Sequence, residues 1–247
     1  MIAEAFATPG IAWLIFAAFL ANAVRGFSGF GSGMIYIPIA SRVLEPVEAL
    51  ATMAIFDFLA PVPILRSSLK RADKVDLLIL FLGLAMLMPL GFFVLTRISP
   101  EGFGWVVSLV IFTVLAALVS GWRYQGSLNR IKVLGIGAVS GFFGGFLGLP
   151  GPPAILSYMA STKPIEVIRA NLLIFLFTSD MILITILAST GNLPPNLLTL
   201  GLLLALPAMA GSLVGSWIFN PAHEKTYRFV AYMIIAVAAL SALPILH

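Results

Sequence analysis

Long apolar runs separated by short polar breaks follow one another along the whole chain. A bilayer core about 30 Å thick takes about 20 helical residues to cross, and four of the runs (75–96, 166–189, 195–219 and 227–246) meet that length easily. The runs cover approximately residues 10–24, 30–44, 47–65, 75–96, 103–122, 131–148, 152–160, 166–189, 195–219 and 227–246. This pattern predicts an all-α, polytopic membrane bundle.

Two of the runs are too short to cross a bilayer, and Gly and Pro interrupt them. These are runs 30–44 and 152–160. We expect them to form half-helices or re-entrant segments. Non-helical backbone at membrane depth is tolerated only where it is buried in protein or lines a cavity. The two short segments are therefore expected in the interior of the bundle.

The order of the segments repeats once, and three ordered anchors carry the repeat. Each half has a Gly-rich break, a short segment, a Pro-x-Glu turn and three long segments. The first anchor is identical at four of eight positions, and the offsets drift slowly from 115 through 118 to 121. The anchors align Gly26–Gly33 with Gly141–Gly148, Pro46–Ala49 with Pro164–Val167, and Ser99–Pro100 with Asn220–Pro221. The sequence thus predicts one transmembrane domain over 1–247, with repeat one at about 10–122 and repeat two at about 131–246.

The basic residues of the loops predict how the repeats are oriented. Loop 66–74 holds four Lys or Arg residues, loop 123–132 holds three, and residues 223–228 hold two, whereas loop 189–196 has none. Cytoplasmic loops are enriched in Lys and Arg. If loop 66–74 is cytoplasmic, its repeat partner 189–196 is external, the N-terminus is external and the repeats are inverted. Interrupted segments at matching places of inverted repeats point to a transport site near the bilayer midplane.

The composition excludes several classes of protein. Hydrophobic residues make up 60% of the chain and charged residues 10%, far below the roughly 25% charge of a soluble domain. This excludes a soluble domain and a disordered chain. The net charge of +4 is spread over loops and forms no basic stripe, so a nucleic-acid partner is not expected. With no Cys and only two His, we predict no cofactor and no metal site.

The Gly-rich breaks are candidate anion sites. A broken helix exposes backbone N–H groups at a half-helix N-terminus, where the helix dipole favours an anion. The alternative is close helix packing through Gly-x-x-x-Gly, which Gly141 with Gly145 and Gly144 with Gly148 would satisfy. The Pro residues at 150, 152 and 153 favour a real break in the second half. In the first half both interpretations stay open.

Four charged residues lie in or beside the apolar segments: Arg25, Asp57, Arg169 and Asp180. A charge at membrane depth is costly, so it usually has a partner or a role. A guanidinium group matches oxyanions through paired N–H donors; the alternative is that both Arg side chains extend to the lipid headgroups. Asp57 and Asp180 would be Arg counter-ions, the favoured role, or proton carriers. The predicted substrate-binding residues are Arg25, Ser28, Gly29, Phe30, Gly31, Ser32, Thr52, Gly148, Gly151, Arg169 and Asn171.

Two other functions are compatible with the pattern. A passive anion channel would leave Asp57 and Asp180 purely structural. The string Gly26-Phe27-Ser28-Gly29 matches the serine motif of intramembrane proteases, but a serine nucleophile needs a base within hydrogen-bond reach. Both histidines, His223 and His247, lie outside the long segments. We therefore predict no catalytic residue and no enzyme activity.

The chain resembles the TauE/SafE sulfite exporter family, also called TSUP, over essentially its whole length. The resemblance is carried by its size, its two related halves, the two Gly-rich runs starting at Gly26 and Gly141, and the stretch Arg169–Leu173. It implies transport of a small sulfur-containing anion such as sulfite, sulfoacetate or a related organosulfonate. It also implies a multi-pass membrane protein, which we expect in the bacterial inner membrane. Rigid-body rocking of the two inverted repeats would give alternating access to the central site. A coupling proton or ion and a homo-oligomer stay open.

Overall fold

A computed structural model describes residues 6–28, 30–121, 129–158, 164–218 and 224–244. Within these ranges the chain forms eleven α-helices and no strand, so the prediction of an all-α fold is confirmed. The helices are α1 (Ile11–Ser28), α2 (Ser32–Ala40), α3 (Pro46–Leu59), α4 (Val62–Arg71), α5 (Lys74–Leu95), α6 (Pro100–Val119), α7 (Arg130–Leu147), α8 (Gly151–Tyr158), α9 (Ile165–Ser189), α10 (Pro195–Ile218) and α11 (Glu224–Ser241).

Side-chain caps fix where several helices begin. The Asp73 carboxylate accepts hydrogen bonds from the first turn of α5, and the Asn129 side chain accepts one from the Lys132 backbone N–H in α7. The Ser99 hydroxyl accepts one from the first turn of α6, which has Pro at its first position. These groups satisfy N–H donors that have no partner inside the helix. The polar breaks between apolar runs therefore act as helix starts.

Among the described residues, five helices are long and apolar enough to cross a bilayer, and their outward faces stay apolar. Large hydrophobic side chains are widely exposed, with Trp217 at 88% and Ile131 at 79%, as expected where lipid replaces water. The protein is a multi-pass membrane protein. The five helices span Lys74–Leu95, Pro100–Val119, Arg130–Leu147, Glu166–Ser189 and Pro195–Ile218. Of the four runs expected to span easily, the last contributes only a shorter apolar helix, Phe229–Ser241, within the described residues.

The predicted run 47–65 is divided into two helices. Helix α3 ends at Leu59 and α4 begins at Val62. Pro61 has no backbone N–H, so it cannot donate to the carbonyl of Asp57 as a helical residue would. Together α3 and α4 cover residues 46–71, enough for one broken crossing. The break between α3 and α4 lies close in sequence to the buried Asp57.

Glycines bring helices of the two halves into close contact. Backbone oxygens of Leu134 and Phe142 on α7 lie where side chains on Gly83 and Gly91 of α5 would stand. In the same way, Phe19 and Ala23 of α1 face Gly211 and Gly215 of α10. In both pairs the residue numbers rise together, so the helices run parallel. Helices α5 with α7 and α1 with α10 form the two most extensive helix pairs, and each pair joins one half of the chain to the other.

The contacts also show that both short helices turn the chain back. Gly10, just before α1, packs against Val43, just after α2, so the chain returns to the end of the bundle where it started. In the second half, the Asp73 backbone N–H at the start of α5 donates to Asn171 near the start of α9. Since α5 and α7 start at the same end, α9 starts there as well, on the far side of the short helix α8 in the sequence. We call this end, with Lys70, the basic end.

Candidate functional site

The two Gly-rich breaks meet in the interior. A Cβ atom added to Gly33, in the first turn of α2, would lie 2.6 Å from the Gly148 carbonyl oxygen. Gly148 ends α7 in the left-handed region, with φ of +69°, and Gly31 precedes α2 with φ of +97°. Residues other than Gly rarely adopt such φ values. Glycine is thus required here both for the turns and for the backbone contact.

Both interpretations of the second Gly-rich segment apply, each to a different face of α7. Gly141 and Gly145 press against backbone oxygens of Leu84 and Met88 on α5, as in close helix packing. The described neighbours of Gly148 are instead Met53 and Ile37. The Gly-x-x-x-Gly spacing builds the helix pair, and the end of the same segment forms the break.

A cavity of about 40 Å³ lies where the breaks meet. One water molecule needs roughly 10–15 Å³ on this measure, so the volume suits a few water molecules or one small anion. Five elements contribute to its wall: the two breaks with their short helices, and α1, α3 and α9. The lining residues are Arg25, Phe30, Gly31, Ser32, Gly33, Met34, Met53, Asp57, Gly148, Leu149, Pro150, Gly151, Pro152, Ile155, Leu176 and Asp180.

The cavity lies near mid-depth of the bundle. Asp180 is 15 residues from Ile165 and 9 from Ser189 on α9, about 22 Å and 14 Å from the two ends. Asp57 is 11 residues from Pro46 and 14 from Arg71 in the broken crossing. Both carboxyl groups are therefore far from either end of the helices that carry them.

Arg25, Asp57 and Ser32 form one polar cluster in the cavity wall. Arg25 Nη1 lies 2.7 Å from Asp57 Oδ2, and the Ser32 hydroxyl donates to the same oxygen at 2.6 Å. The side chains of Arg25 and Asp57 are 14% and 6% exposed. The other carboxylate oxygen, Oδ1, is buried with no hydrogen-bond partner among the described residues. A guanidinium group has five N–H donors, so Arg25 can contact Asp57 and still offer donors to the cavity.

Asp180 is a second carboxyl group in the same wall, only 6% exposed. In the described ranges, the Arg25 guanidinium pairs with Asp57 and not with Asp180. The Asp180 carboxyl group forms no hydrogen bond with any other residue that the structure describes. The described lining of the cavity therefore holds one guanidinium group and two carboxyl groups.

Thr52 is buried but does not line the cavity. Its hydroxyl lies 2.9 Å from the Tyr36 hydroxyl, and it also contacts the backbone oxygens of Glu48 and Ala49 in its own helix. These bonds use both the donor and the acceptor capacity of a hydroxyl group. Thr52 holds α2 against α3 in this arrangement.

Arg169 and Asn171 lie near the start of α9, away from the cavity lining. Arg169 is exposed. Asn171 is buried, and its Oδ1 accepts the backbone N–H of Asp73 at 2.9 Å, while its Nδ2 has no partner among the described groups. Asn171 thus ties the residues before α5 to α9.

The other predicted binding residues lie in the wall or outside the described part. Phe30, Gly31, Ser32, Gly148 and Gly151 line the cavity. The side chain of Ser28, all of Gly29, and both histidines are outside the described residues. Sequence reasoning did not single out five further lining residues. These are Met34, Met53, Leu149, Ile155 and Leu176, which are apolar and carry no chemical signal of their own.

The sequence was compared with protein families, curated proteins and solved structures. The family described as Sulfite exporter TauE/SafE matches residues 14–242. No curated protein and no solved structure gave a significant match. The family match covers every described helix apart from three residues at the start of α1, including both breaks and the cavity. The chain therefore belongs to the TauE/SafE family of sulfite exporters, which are membrane transporters of small anions.

Proposed function

We propose that the protein carries sulfite or a small organosulfonate such as sulfoacetate across a bacterial inner membrane, and that the cavity binds this anion. The observation that carries the proposal is the position of Arg25. It is the one cation in the described lining of a mid-depth cavity where the two Gly-rich breaks meet. A guanidinium group in low-dielectric surroundings attracts an anion much more strongly than the same group in water.

The chemistry of the wall suits a group with three oxygens on sulfur. Arg25 offers paired N–H donors, which match oxyanions in a planar, two-bond geometry. The first-turn N–H groups of α2 have no acceptor within their helix, and the helix dipole adds partial positive charge there. The Ser32 hydroxyl, now donated to Asp57, can turn to an anion. The volume of about 40 Å³ suits one sulfur headgroup.

Alternating access is supported by the arrangement of the halves. We infer two inverted repeats, in which α1 corresponds to α7 and α5 to α10. Helices α5 with α7 and α1 with α10 exchange partners between the halves, as an approximate twofold relation requires. A further sequence match supports this: Gly83 and Pro89 of α5 lie 118 residues before Gly201 and Pro207 of α10. Rocking of one half against the other would open the cavity to each side in turn.

The test is anion flux into proteoliposomes with variants of the ion pair. Arg25→Ala alone leaves Asp57 buried and unpaired, which costs about 3–5 kcal/mol and can unfold the protein. The double variant Arg25→Ala/Asp57→Asn removes both charges and keeps the fold testable, and Arg25→Lys keeps the charge without the planar donors. We expect both to lose sulfite and sulfoacetate flux at least tenfold. Arg97→Ala, an exposed Arg over the Phe93 ring, is the matched control and should keep wild-type flux.

The outcomes separate the alternatives. Unchanged flux in the double variant would overturn the assignment of the anion to this cavity. Loss of flux in Arg169→Ala with full flux in the Arg25 variants would move the site to the start of α9. Saturation with counterflow identifies a carrier. Flux that rises linearly with anion concentration, without counterflow, identifies a passive channel and refutes alternating access.

A further inference from the structure

We propose that Asp180 takes up a proton in the cavity where Arg25 holds the anion, so that anion and proton cross the membrane together. This rests on the proposed function and adds its coupling ion. It divides the two carboxyl groups by role: Asp57 is the fixed counter-ion of Arg25, and Asp180 is the proton carrier. The two share one wall of one cavity.

The contacts of the two carboxyl groups support this division. Asp57 receives both the Arg25 guanidinium and the Ser32 hydroxyl on one oxygen. Each of these donors favours the charged carboxylate. Asp180 has no such donor among the described residues, yet it lies in the same cavity and is buried almost as deeply. A mobile proton is expected on the carboxyl group without donors.

The charge in the cavity makes the proton necessary for binding. With both carboxylates ionised, one Arg and two Asp side chains sum to one negative charge, which repels an arriving anion. A proton on Asp180 removes that repulsion and leaves the wall neutral. An anion can then bind to Arg25 while Arg25 stays paired with Asp57.

Few other groups can set the charge on Asp180. Facing the cavity from α1 and α3 are Arg25 and Asp57, and the titratable group of α2 is the buried Tyr36, hydrogen-bonded to Thr52. Arg169, on the same helix as Asp180, is 11 residues away, about 16 Å along the axis. The short helix α8 contributes no charged side chain. Asp180 therefore responds mainly to Arg25, Asp57 and the anion itself.

The proton step is a simple transfer. When the cavity is open to one side, hydronium gives its proton to a carboxylate oxygen of Asp180 and becomes water. After the cavity opens to the other side, the carboxylic acid gives the proton back to water as the anion leaves. No bond to the anion is made or broken, and nothing is oxidised or reduced.

The experiment compares driven uptake with exchange in proteoliposomes. Sulfoacetate is the first probe because its charge is constant near neutral pH, and sulfite is the second. We expect wild-type protein to accumulate the anion when the outside is acidified. Asp180→Asn should reduce this accumulation at least tenfold. It should still exchange internal for external anion, because the neutral amide mimics the protonated acid. Asp180→Glu, which keeps an ionisable group, should keep a response to the pH gradient.

The controls keep the proposal apart from the proposed function. Glu101→Gln, an exposed acid at the start of α6, should match wild type. If the wild-type protein exchanges neither anion, the proposed function itself is refuted. With exchange intact, three results would overturn the role of Asp180: full pH-driven accumulation in Asp180→Asn, accumulation driven by a sodium gradient alone, or loss of exchange in a stably folded Asp180→Asn.

Discussion

The carbonyl oxygen of Gly148 lies against the α-carbon of Gly33, where no side chain can stand. A Cβ on Gly33 would come within 2.6 Å of that oxygen, closer than real Cβ atoms approach. The two residues belong to different halves of the chain, 115 residues apart in sequence. This backbone contact holds the two Gly-rich breaks together and so sets the width of the cavity between them.

Gly33→Ala is expected to reduce anion flux about tenfold or more. The added methyl group must push the two breaks apart, and overpacking of this kind costs about 1–3 kcal/mol, which corresponds to about a tenfold effect on an equilibrium. The measurement is sulfite flux per amount of folded protein. Gly135→Ala is the control, since nothing lies within 4 Å of its Cβ position. Equal flux in the two variants would show that the contact of the breaks does not shape the transport site.

Gly141→Ala is expected to lower the stability of the protein in detergent by about 1–3 kcal/mol. A Cβ at this position meets the backbone oxygen of Leu84, and backbone cannot move aside as a flexible side chain can. The same Gly135→Ala variant on the same helix is the comparison, and it should be neutral or slightly stabilised, because Ala favours helix over Gly. Thermal unfolding of purified protein measures the difference. Equal melting temperatures would contradict close packing of α5 against α7.

Tyr36→Phe is expected to cost about 1 kcal/mol of stability and to leave the cavity chemistry in place. The variant removes one buried hydrogen bond, that between the Tyr36 and Thr52 hydroxyls at 2.9 Å, and such a bond contributes about 0.5–1.5 kcal/mol. Thr52 keeps its bonds to the backbone of α3. Thermal unfolding of Tyr36→Phe, Thr52→Val and the double variant forms a cycle. Strictly additive losses in the cycle would mean that the two hydroxyls do not interact.

Asn171→Ala is expected to loosen the residues before α5. It removes the side-chain acceptor of the half-buried Asp73 backbone N–H, and a hydrogen bond of this kind contributes about 0.5–1.5 kcal/mol. Hydrogen exchange should become faster at residues 72–76 than elsewhere in the chain. Asn171→Asp, which keeps an acceptor oxygen, is the matched variant and should preserve more of the protection. If both variants exchange like wild type, the bond does not fix this region.

The helix pattern was predictable because apolar runs and their breaks report directly on burial in lipid. Runs such as 75–96 and 166–189 correspond to helices Lys74–Leu95 and Ile165–Ser189 within a residue. The break at Pro61 was missed, although Pro61 and Pro63 stand in the run. Hydropathy averages over a window and does not register the loss of two backbone donors. Proline position is the signal that would have divided the run.

The candidate site was harder to predict, because sequence proximity does not say which way a side chain faces. The sequence predicts both Arg169 and Asn171 at the anion site. Residues two apart on a helix point to different sides, so their closeness in sequence does not place them together. In the structure Arg169 is exposed, and Asn171 is bonded to Asp73. Arg25, by contrast, directly precedes the Gly-rich run in sequence, so its position beside that break could be predicted.

Single-cysteine labelling should show that the halves are inverted. The natural chain has no Cys, so each introduced thiol is the only one, and the unmodified protein is the blank. Helix contacts put Lys70 and Ser120 at the basic end, and Glu101 and Asn196 at the other end. Since basic loops stay on the cytoplasmic side, Lys70→Cys and Ser120→Cys should react with an impermeant maleimide only in permeabilised cells.

Glu101→Cys and Asn196→Cys should react with an impermeant maleimide in intact cells. Lys70, Glu101 and Ser120 lie in the first half and Asn196 lies in the second, so the pattern reports the orientation of both. Labelling of Asn196→Cys and Lys70→Cys from the same side would exclude inverted repeats. It would also remove the twofold relation by which rocking could expose one cavity to both sides of the membrane.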